Sequence, residues 1–376
     1  MLTGATMPVT STSAGRSDMQ CGTEVRFFSK SQWLPVRVLM FLFVMMFTLM
    51  TGSIYAFAGD TLNEVRSRKI IRCGVSEGVG GFSLKDSTGR WQGAGPDFCR
   101  AMAAAALGDP QKVEFIPLIT SGRFPMLLSG RIDLLAHTAT VTFGREAGIG
   151  VRFPGVYFFD GQGFMVQRSS KKRTIRDLNG SSVCVVKGST HQINLANTFQ
   201  KYNMKYTPFI VDSMSAATDA LLKGECGAAT ADRSQLVAAR ATASGGPQRL
   251  EIIPGTFSVD PIGPVVRRGD EEWFTLVRWV LYALIEAEEL GVTRENVQML
   301  LKNPGSIALR EFLITSGQSG KSLVLRPDWV ASVIGAVGNY GEIYERHFGQ
   351  KSSLKIERGH NKLWTQGGLM YAPQFQ

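Results

Sequence analysis

Three threonines, Thr138, Thr140 and Thr142, recur at every second position and are followed by Gly144 and Arg145. On an extended backbone side chains alternate, so this spacing puts three hydroxyls on one face, and the glycine lets the chain turn a guanidinium toward them. A planar fork of donors beside hydroxyls suits a carboxylate. Further along, Gly188, Ser189 and Thr190 open a helix expected over residues 191–202, and free backbone N–H groups at such a start favour an anionic group. A strand expected over residues 226–232 ends in an acid, Asp232. The loop after the first strand runs from Ser76 through Gly78, Gly80 and Gly81, glycines that let backbone approach a ligand closely. It is not a dinucleotide fingerprint, because Ser83 stands where the third glycine belongs. Arg145, Thr140, Thr138, Thr190, Ser189 and Ser76 are therefore candidate ligand-binding residues.

Signals for catalysis are weak. There is no H-E-x-x-H, and the stretch 320–322 misses a P-loop because Thr315 replaces its first glycine. Glu77 and His191 are the remaining candidates for acid–base work. His137 and His191 read more simply as a strand residue and a helix-surface residue. No catalytic residue, metal or cofactor is expected.

The elements that must position these groups alternate. Strands over 70–75, 113–118 and 132–135 interleave with helices over 96–107 and 123–129, after a short polar helix over 59–69 and a hairpin-like turn over 86–90. This βαβαβ order predicts a mostly parallel, doubly wound sheet that binds ligands at the carboxyl ends of its strands. Residues 153–166 read as a strand leaving this lobe. A second series follows, with strands over 182–186, 209–211 and 226–232 and helices over 191–202 and 215–223. The chain crosses back over 260–266 and continues into a long helix over 271–289, a helix over 326–337 and an aromatic tail with Trp364 and Tyr371, expected to pack on the first lobe. Two crossings make a two-lobed α/β body with a hinge, which closes on its ligand. The expected boundaries are a leader at 1–58, the first lobe at 59–164, the second at 165–261, and a return to the first lobe with a C-terminal extension at 262–376.

Residues 1–58 read as an export leader. Arg26, Lys30 and Arg37 precede an apolar run over 38–50, and Ala56, Phe57 and Ala58 supply the small-x-small pattern that predicts cleavage before Gly59. An uncleaved anchor is the alternative, since 38–58 approaches the ~20 residues that span a bilayer. The leader is long, so translation could start at Met19, and Cys21 lies on the wrong side of the apolar run for lipid attachment. The chain of 376 residues carries a net charge of +10, which falls to +8 without the leader. Its basic residues are scattered, which argues against nucleic-acid binding, and its 44% hydrophobic content is that of a folded, globular protein. Export leaves Cys73, Cys99, Cys184 and Cys226 in an oxidising compartment, where three pairings are open. The simplest keeps each bridge inside one lobe, Cys73 with Cys99 and Cys184 with Cys226; four free thiols are the alternative. None forms C-x-x-C, so metal or thioredoxin-like chemistry is not indicated.

With these segments in place, the chain resembles the extracytoplasmic solute-binding proteins that serve polar amino-acid ABC transporters, most closely the general L-amino-acid-binding branch. The resemblance covers nearly all of residues 60–376. It is carried by 73–75 (Cys-Gly-Val), 97–100 (Asp-Phe-Cys-Arg), 133–135 with 140–145, 160–166, 230–234, Trp279 with 287–293, 337–346 and 363–373. It implies the two-lobed periplasmic-binding-protein fold of type II, and a monomer in the periplasm that hands an L-amino acid to membrane permease subunits. In the T-x-T-x-x-R pattern, Arg145 would hold the α-carboxylate with Thr140 and Thr190, and in the T-x-D pattern Asp232 would receive the α-ammonium. Three departures, Gly95, Val141 and Gly144, leave these groups intact and bear on the side-chain pocket. Two other readings stay open: an enzyme on this fold, similar to a cyclohexadienyl dehydratase, and a membrane-anchored amino-acid sensor.

Overall fold

The computed structural model describes Met40 and residues 60–375; the leader, its cleavage site and the alternative start at Met19 lie outside the described residues. The chain enters through helix α1 (Thr61–Arg68) and strand β1 (Ile71–Ser76), passes the short antiparallel pair β2 (Leu84–Lys85) and β3 (Trp91–Gln92), and continues into α2 (Ala94–Leu107), β4 (Val113–Leu118), α3 (Arg123–Leu128) and β5 (Leu134–Ala136). Strands β4, β1 and β5 form a parallel sheet in that order. Sequence order 1-2-3 against spatial order 2-1-3 is the doubly wound arrangement, with a switch between β4 and β5 at the carboxyl end of β1. Asp133 pins this sheet: its buried carboxylate accepts from the Arg72 side chain at 2.9 Å and the Arg72 backbone N–H at 2.7 Å, and also pairs with Arg68.

The chain then runs through β6 (Val151–Arg152), β7 (Phe158–Asp160) and β8 (Gln162–Gln167) into a second sheet, built from β9 (Ser181–Val186), helix α4 (His191–Lys201), β10 (Tyr206–Val211), α5 (Met214–Lys223), β11 (Ala228–Asp232), α6 (Arg233–Ala241) and β12 (Leu250–Ile252). The order is β10-β9-β11-β8-β12, and β8 alone runs against its neighbours. The expected single strand over 153–166 is thus two strands broken at Gly161. There a Cβ would stand 2.3 Å from the Thr256 side chain and 2.4 Å from the Ser258 carbonyl oxygen, so only glycine lets the chain turn from one body to the next. The lobe boundary expected after 164 falls within β8.

Return is through β13 (Asp260–Ile262) and β14 (Val266–Arg267). β13 pairs with β7, setting Asp260 opposite Asp160, and β14 pairs with β6. Two antiparallel segments thus lie side by side between the sheets. Beyond them α7 (Glu271–Glu289) coincides with its expected range; its buried face includes Trp273, Val277, Leu281 and Leu284, residues four or three apart. It packs with α2, α8 (Trp329–Val337) and α9 (Tyr340–His347) into the largest apolar core. The tail packs on this core as expected, but through Leu363, Met370 and Phe375, which are buried, while the named aromatics Trp364 and Tyr371 are 58% and 60% exposed. Trp364 keeps its indole N–H on the exposed Glu289 carboxylate, and Phe375 fills the space beside Trp279 and Phe312 instead.

The cysteines pair as the simplest arrangement expects. Cys73 on β1 is bonded to Cys99 on α2, and Cys184 on β9 to Cys226 just before β11, with Cα atoms 6.3 and 5.9 Å apart. Each bridge ties a strand to a segment packed beside its own sheet.

Candidate functional site

Carboxyl ends of strands from both sheets converge on one cleft of about 490 Å³. Ser76 ends β1, Leu118 ends β4, His137 and Thr138 follow β5, and Val186 ends β9; all line it, as ligand sites in open α/β sheets do. Among the described residues its two walls touch where Thr140, Gly188 and Gly80 stand. The Thr140 and Thr190 hydroxyls are 3.4 Å apart. A Cβ on Gly188 would lie 3.3 Å from the Ser121 Cα, and one on Gly80 would lie 3.2 Å from the Ala238 Cβ. The glycines let segments from the first sheet lie directly on those from the second.

One wall is cationic. Strand β5 stops at Ala136, and the chain bends at His137 rather than running on as the extended threonine face the sequence suggests. The reason is local: Thr140 bridges to Ile262 of the returning segment, and Thr142 turns the backbone into a wide helical turn, Gly144–Ile149, by accepting the Arg145 N–H on its hydroxyl at 3.3 Å. Thr142 is therefore engaged with its own turn, leaving Thr138 and Thr140 of the three for the cleft. The Arg145 guanidinium is buried, donates to the Thr140 carbonyl, and lies 5.3 Å from the Phe124 ring centre. A second guanidinium, Arg123, lies 5.0 Å from that ring centre and lines the cleft itself. Burial brings Arg145 down to about 10, against attraction from Asp232 and Asp260. Burial and Arg145 bring Arg123 down to about 9, so both remain charged at neutral pH.

Arg123 fixes His137. The imidazole Nε2 is 3.1 Å from the Leu118 carbonyl, which can only accept, so Nε2 carries the proton and Nδ1 accepts from Arg123 at 3.3 Å. Burial and the adjacent guanidinium push His137 down to about 3. It is a neutral, buried residue just beyond the strand, and its carbonyl accepts from the Tyr157 hydroxyl at 2.7 Å.

Acid stands behind the opposite side. Asp232, the last residue of β11, is 1% exposed. His191 Nε2 lies 3.0 Å from one of its oxygens, and the Gln235 amide donates to the other. His191 is a correction to the sequence reading: as first residue of α4 it is buried at 5% exposure, because its ring turns inward to Asp232 rather than outward to solvent. His191, Asp232 and Asp260 bring an imidazole nitrogen and two carboxylate oxygens within 4.8 Å of one another. Burial alone would lower His191, but attraction from Asp232, with Asp260 and Asp160 behind it, raises it above the ordinary value. Burial and the Asp232 charge push Asp160 and Asp260 up. Asp160 is held by the Gly161 N–H at 2.8 Å and by the Ser234 hydroxyl.

Of the sequence candidates, Ser76, Thr138, Thr140, Ser189 and Thr190 line the cleft, while Arg145 and Asp232 lie buried beside it without being among its lining residues. Glu77 and His191 line it too. Arg123, Gln235 and the turn at Asp212 and Ser213, all lining residues, went unread. Their positions carried the signal: Arg123 opens the helix after β4 and Asp212 follows β10, both at carboxyl strand ends. The arrangement offers two guanidiniums and these five hydroxyls to an anion, and to a cation the Asp232 carboxylate, held by His191 and Gln235 with Asp260 and Asp160 behind.

Residues 71–296 match the profile of the bacterial extracellular solute-binding proteins, family 3. The chain is 42% identical over 320 residues to the general L-amino acid-binding periplasmic protein AapJ of Rhizobium johnstonii, covering 85% of this chain and 93% of that one. It is 40% identical over 321 residues, 85% of this chain and 95% of the other, to the glutamate/glutamine/aspartate/asparagine-binding protein BztA of Rhodobacter capsulatus. Among solved structures it is similar to an ABC transporter periplasmic binding protein from Brucella ovis with glutathione bound, at 38% identity and a TM-score of 0.81, over 85% of this chain and all of that one.

Proposed function

The chain belongs to the bacterial extracellular solute-binding proteins of family 3, and we propose that it captures α-amino acids by closing two lobes on both ends of a zwitterion. Its fold is the type II periplasmic-binding-protein fold, and it is the periplasmic binding component of an amino-acid ABC transporter. In the proposed division, β1 to β5 with the C-terminal helices make one lobe and the β8 to β12 sheet the other, joined by the β7 and β13 segments. Arg145, with the Thr140 and Thr190 hydroxyls, takes the α-carboxylate; Asp232 takes the α-ammonium. Thr138, Ser76 and Ser189 complete the hydroxyl lining. The observation that carries this reading is the contact of Thr140 with Thr190 between buried Arg145 on one side and buried Asp232 on the other. Opposite charges from opposite lobes make ligand binding and closure one event.

Recognition rests on the α-groups, because the loop at Gly78, Val79, Gly80 and Gly81 brings no charge or aromatic ring to the cleft. Several L-amino acids are accordingly expected to bind, as the names of AapJ and BztA state for those proteins. The cleft also favours a second class, short peptides with an α-amino-acid head: its volume of about 490 Å³ falls in the roughly 300–1,000 Å³ range of drug-sized ligands, and the Brucella ovis protein holds glutathione. The mature protein is proposed to begin near Gly59, to act as a monomer without a cofactor, and to bind rather than turn over its ligand. A thermal-shift panel of the twenty amino acids, glutathione and a cyclic dienol acid tests this. Stabilisation by several amino acids supports it; turnover of the dienol acid, or no stabilisation by any α-amino compound, overturns it.

A further inference from the structure

The acceptor proposed for the ligand ammonium is already occupied by a side chain. His191 Nε2 sits 3.0 Å from one Asp232 oxygen, with the two side chains 7% and 2% exposed, and Gln235 donates to the other oxygen. Both occupying residues line the cleft, whereas Asp232 does not. We infer that His191 is a built-in stand-in for the ligand ammonium: its imidazolium neutralises Asp232 while the cleft is empty, and binding of an ammonium there expels the imidazolium proton. This rests on the proposed zwitterion clamp.

The surroundings of the ring support the exchange. Acidic groups face it from three elements, Asp232 at the end of β11, Asp260 on β13 and Asp160 on β7. No other cationic side chain is within hydrogen-bond or ion-pair reach of Asp232 among the described residues. Neutral polar groups surround it as well: Gln162 of β8 donates to the His191 carbonyl at 3.3 Å, Gln235 comes from α6, and Asn194 from its own helix reaches Asp260. His191 Nδ1 is buried without a hydrogen-bond partner among the described residues. A ring held at one nitrogen can lose its proton without breaking a second bond. Two cations on one buried carboxylate repel, so the arrival of an ammonium lowers the hold of His191 on its proton. The proton balance is one ammonium bound, one proton released to solvent, and Asp232 still paired with a single positive charge. Asp160, pushed up by the same neighbours, is the competing source of a proton.

The mature protein is titrated with L-glutamine, L-glutamate and L-alanine in buffers of differing ionisation enthalpy. Release should approach one proton per ligand below the raised His191 pKa, affinity should rise by up to tenfold per pH unit there, and the rise should flatten above it. In His191→Gln the release and the pH dependence should both vanish and affinity near neutral pH should increase, while Asp160→Asn should keep the release. Release that persists in His191→Gln and vanishes in Asp160→Asn overturns the inference. Ring NMR of the wild-type protein guards against a misfolded variant: with only four histidines, His191 should be an imidazolium in the ligand-free form and neutral when saturated. A neutral ring without ligand overturns the inference. Failure of all three probes to bind counts against the clamp instead, and the ligand-free ring signal still decides whether His191 guards Asp232.

Discussion

The Thr140 hydroxyl meets that of Thr190 at 3.4 Å, one from the segment behind β5 and the other from the turn in front of α4. Threonine side chains are short, so two of them touch across a cleft only when its walls have come together. The Gly80 approach to Ala238 and the Gly188 approach to Ser121 bracket the same closed arrangement.

Closure is therefore testable at a glycine remote from the ligand. Gly80→Leu places a side chain where a Cβ alone would already be 3.2 Å from the Ala238 Cβ. Gly80 does not have the positive φ of its neighbours Gly78 and Gly81, so the substitution carries no backbone strain. Ligand affinity should fall by about tenfold or more, roughly 1.4 kcal/mol, with little change in the melting temperature of the ligand-free protein. Calorimetry and small-angle scattering check this, and unchanged affinity would refute the closed arrangement.

Reduction of the two bridges should be felt unequally. The Cys73 and Cys184 bridges close segments of 26 and 42 residues, and chain entropy assigns roughly 3.5 and 4 kcal/mol to loops of that size, in a model-dependent account. Cys184→Ala with Cys226→Ala should lower the denaturant midpoint more than the Cys73 and Cys99 pair does. Equal and negligible losses would show that the bridges do not support the sheets.

Much of this was legible because strand order leaves a periodic trace. Alternating apolar strands and helices marked both sheets, and the long apolar face of α7 marked its own bounds. The cleft was legible through the rule that ligands meet carboxyl strand ends, which pointed to Ser76 and Thr138, and through the helix start that marked Ser189 and Thr190. What escaped were features set by contacts distant in sequence. Thr142 folds back on the Arg145 N–H just beyond the point where Ile262, 122 positions away by number, holds Thr140. His191 turned inward because Asp232 lies 41 positions on. Arg123 opens a helix as many arginines do, and nothing local announces that its guanidinium shares Phe124 with Arg145.

Acid should loosen the first body at one identified place. Asp97 pairs with Arg100 at 3.0 Å, Arg346 at 2.7 Å and His347 at 2.6 Å, tying α2 to α9. Burial would raise this carboxyl, but His347 and Arg346 outweigh it and hold it down to about 2. A depressed folded value means that the stabilisation is complete above the unfolded value near 4 and is lost as pH falls through about 2. Asp97→Asn should cost about 2–3 kcal/mol at pH 7, and the difference from wild type should shrink between pH 4 and pH 2. His137 works in a higher window: driven down to about 3 by burial and Arg123, its contribution is complete above its ordinary value near 6.5 and erodes as pH falls toward 3. Urea titrations at several pH values check both, and a pH-independent Asp97→Asn penalty would contradict the ion-pair account.

The clamp itself makes the sharpest demand. Arg145 and Asp232 are buried at 7% and 1% exposure on opposite walls, so under the proposed clamp truncating either would leave one end of a desolvated zwitterion unpaired. Arg145→Ala and Asp232→Ala should each weaken binding by about 2–5 kcal/mol. Asp232→Ala also strands His191, so its ligand-free stability should drop as well, whereas Arg145→Ala loses one contact to the Thr140 carbonyl and stacking on Phe124. Ligand chemistry separates the two roles. A ligand without its α-amino group should lose less on Asp232→Ala, and one without its carboxylate less on Arg145→Ala, because the deleted partner is already missing. Titration calorimetry on both variants with such an analogue pair measures the coupling. Losses that are the same for every analogue would mean that neither side chain touches the end assigned to it, and would hand the carboxylate to Arg123, the guanidinium that lines the cleft directly.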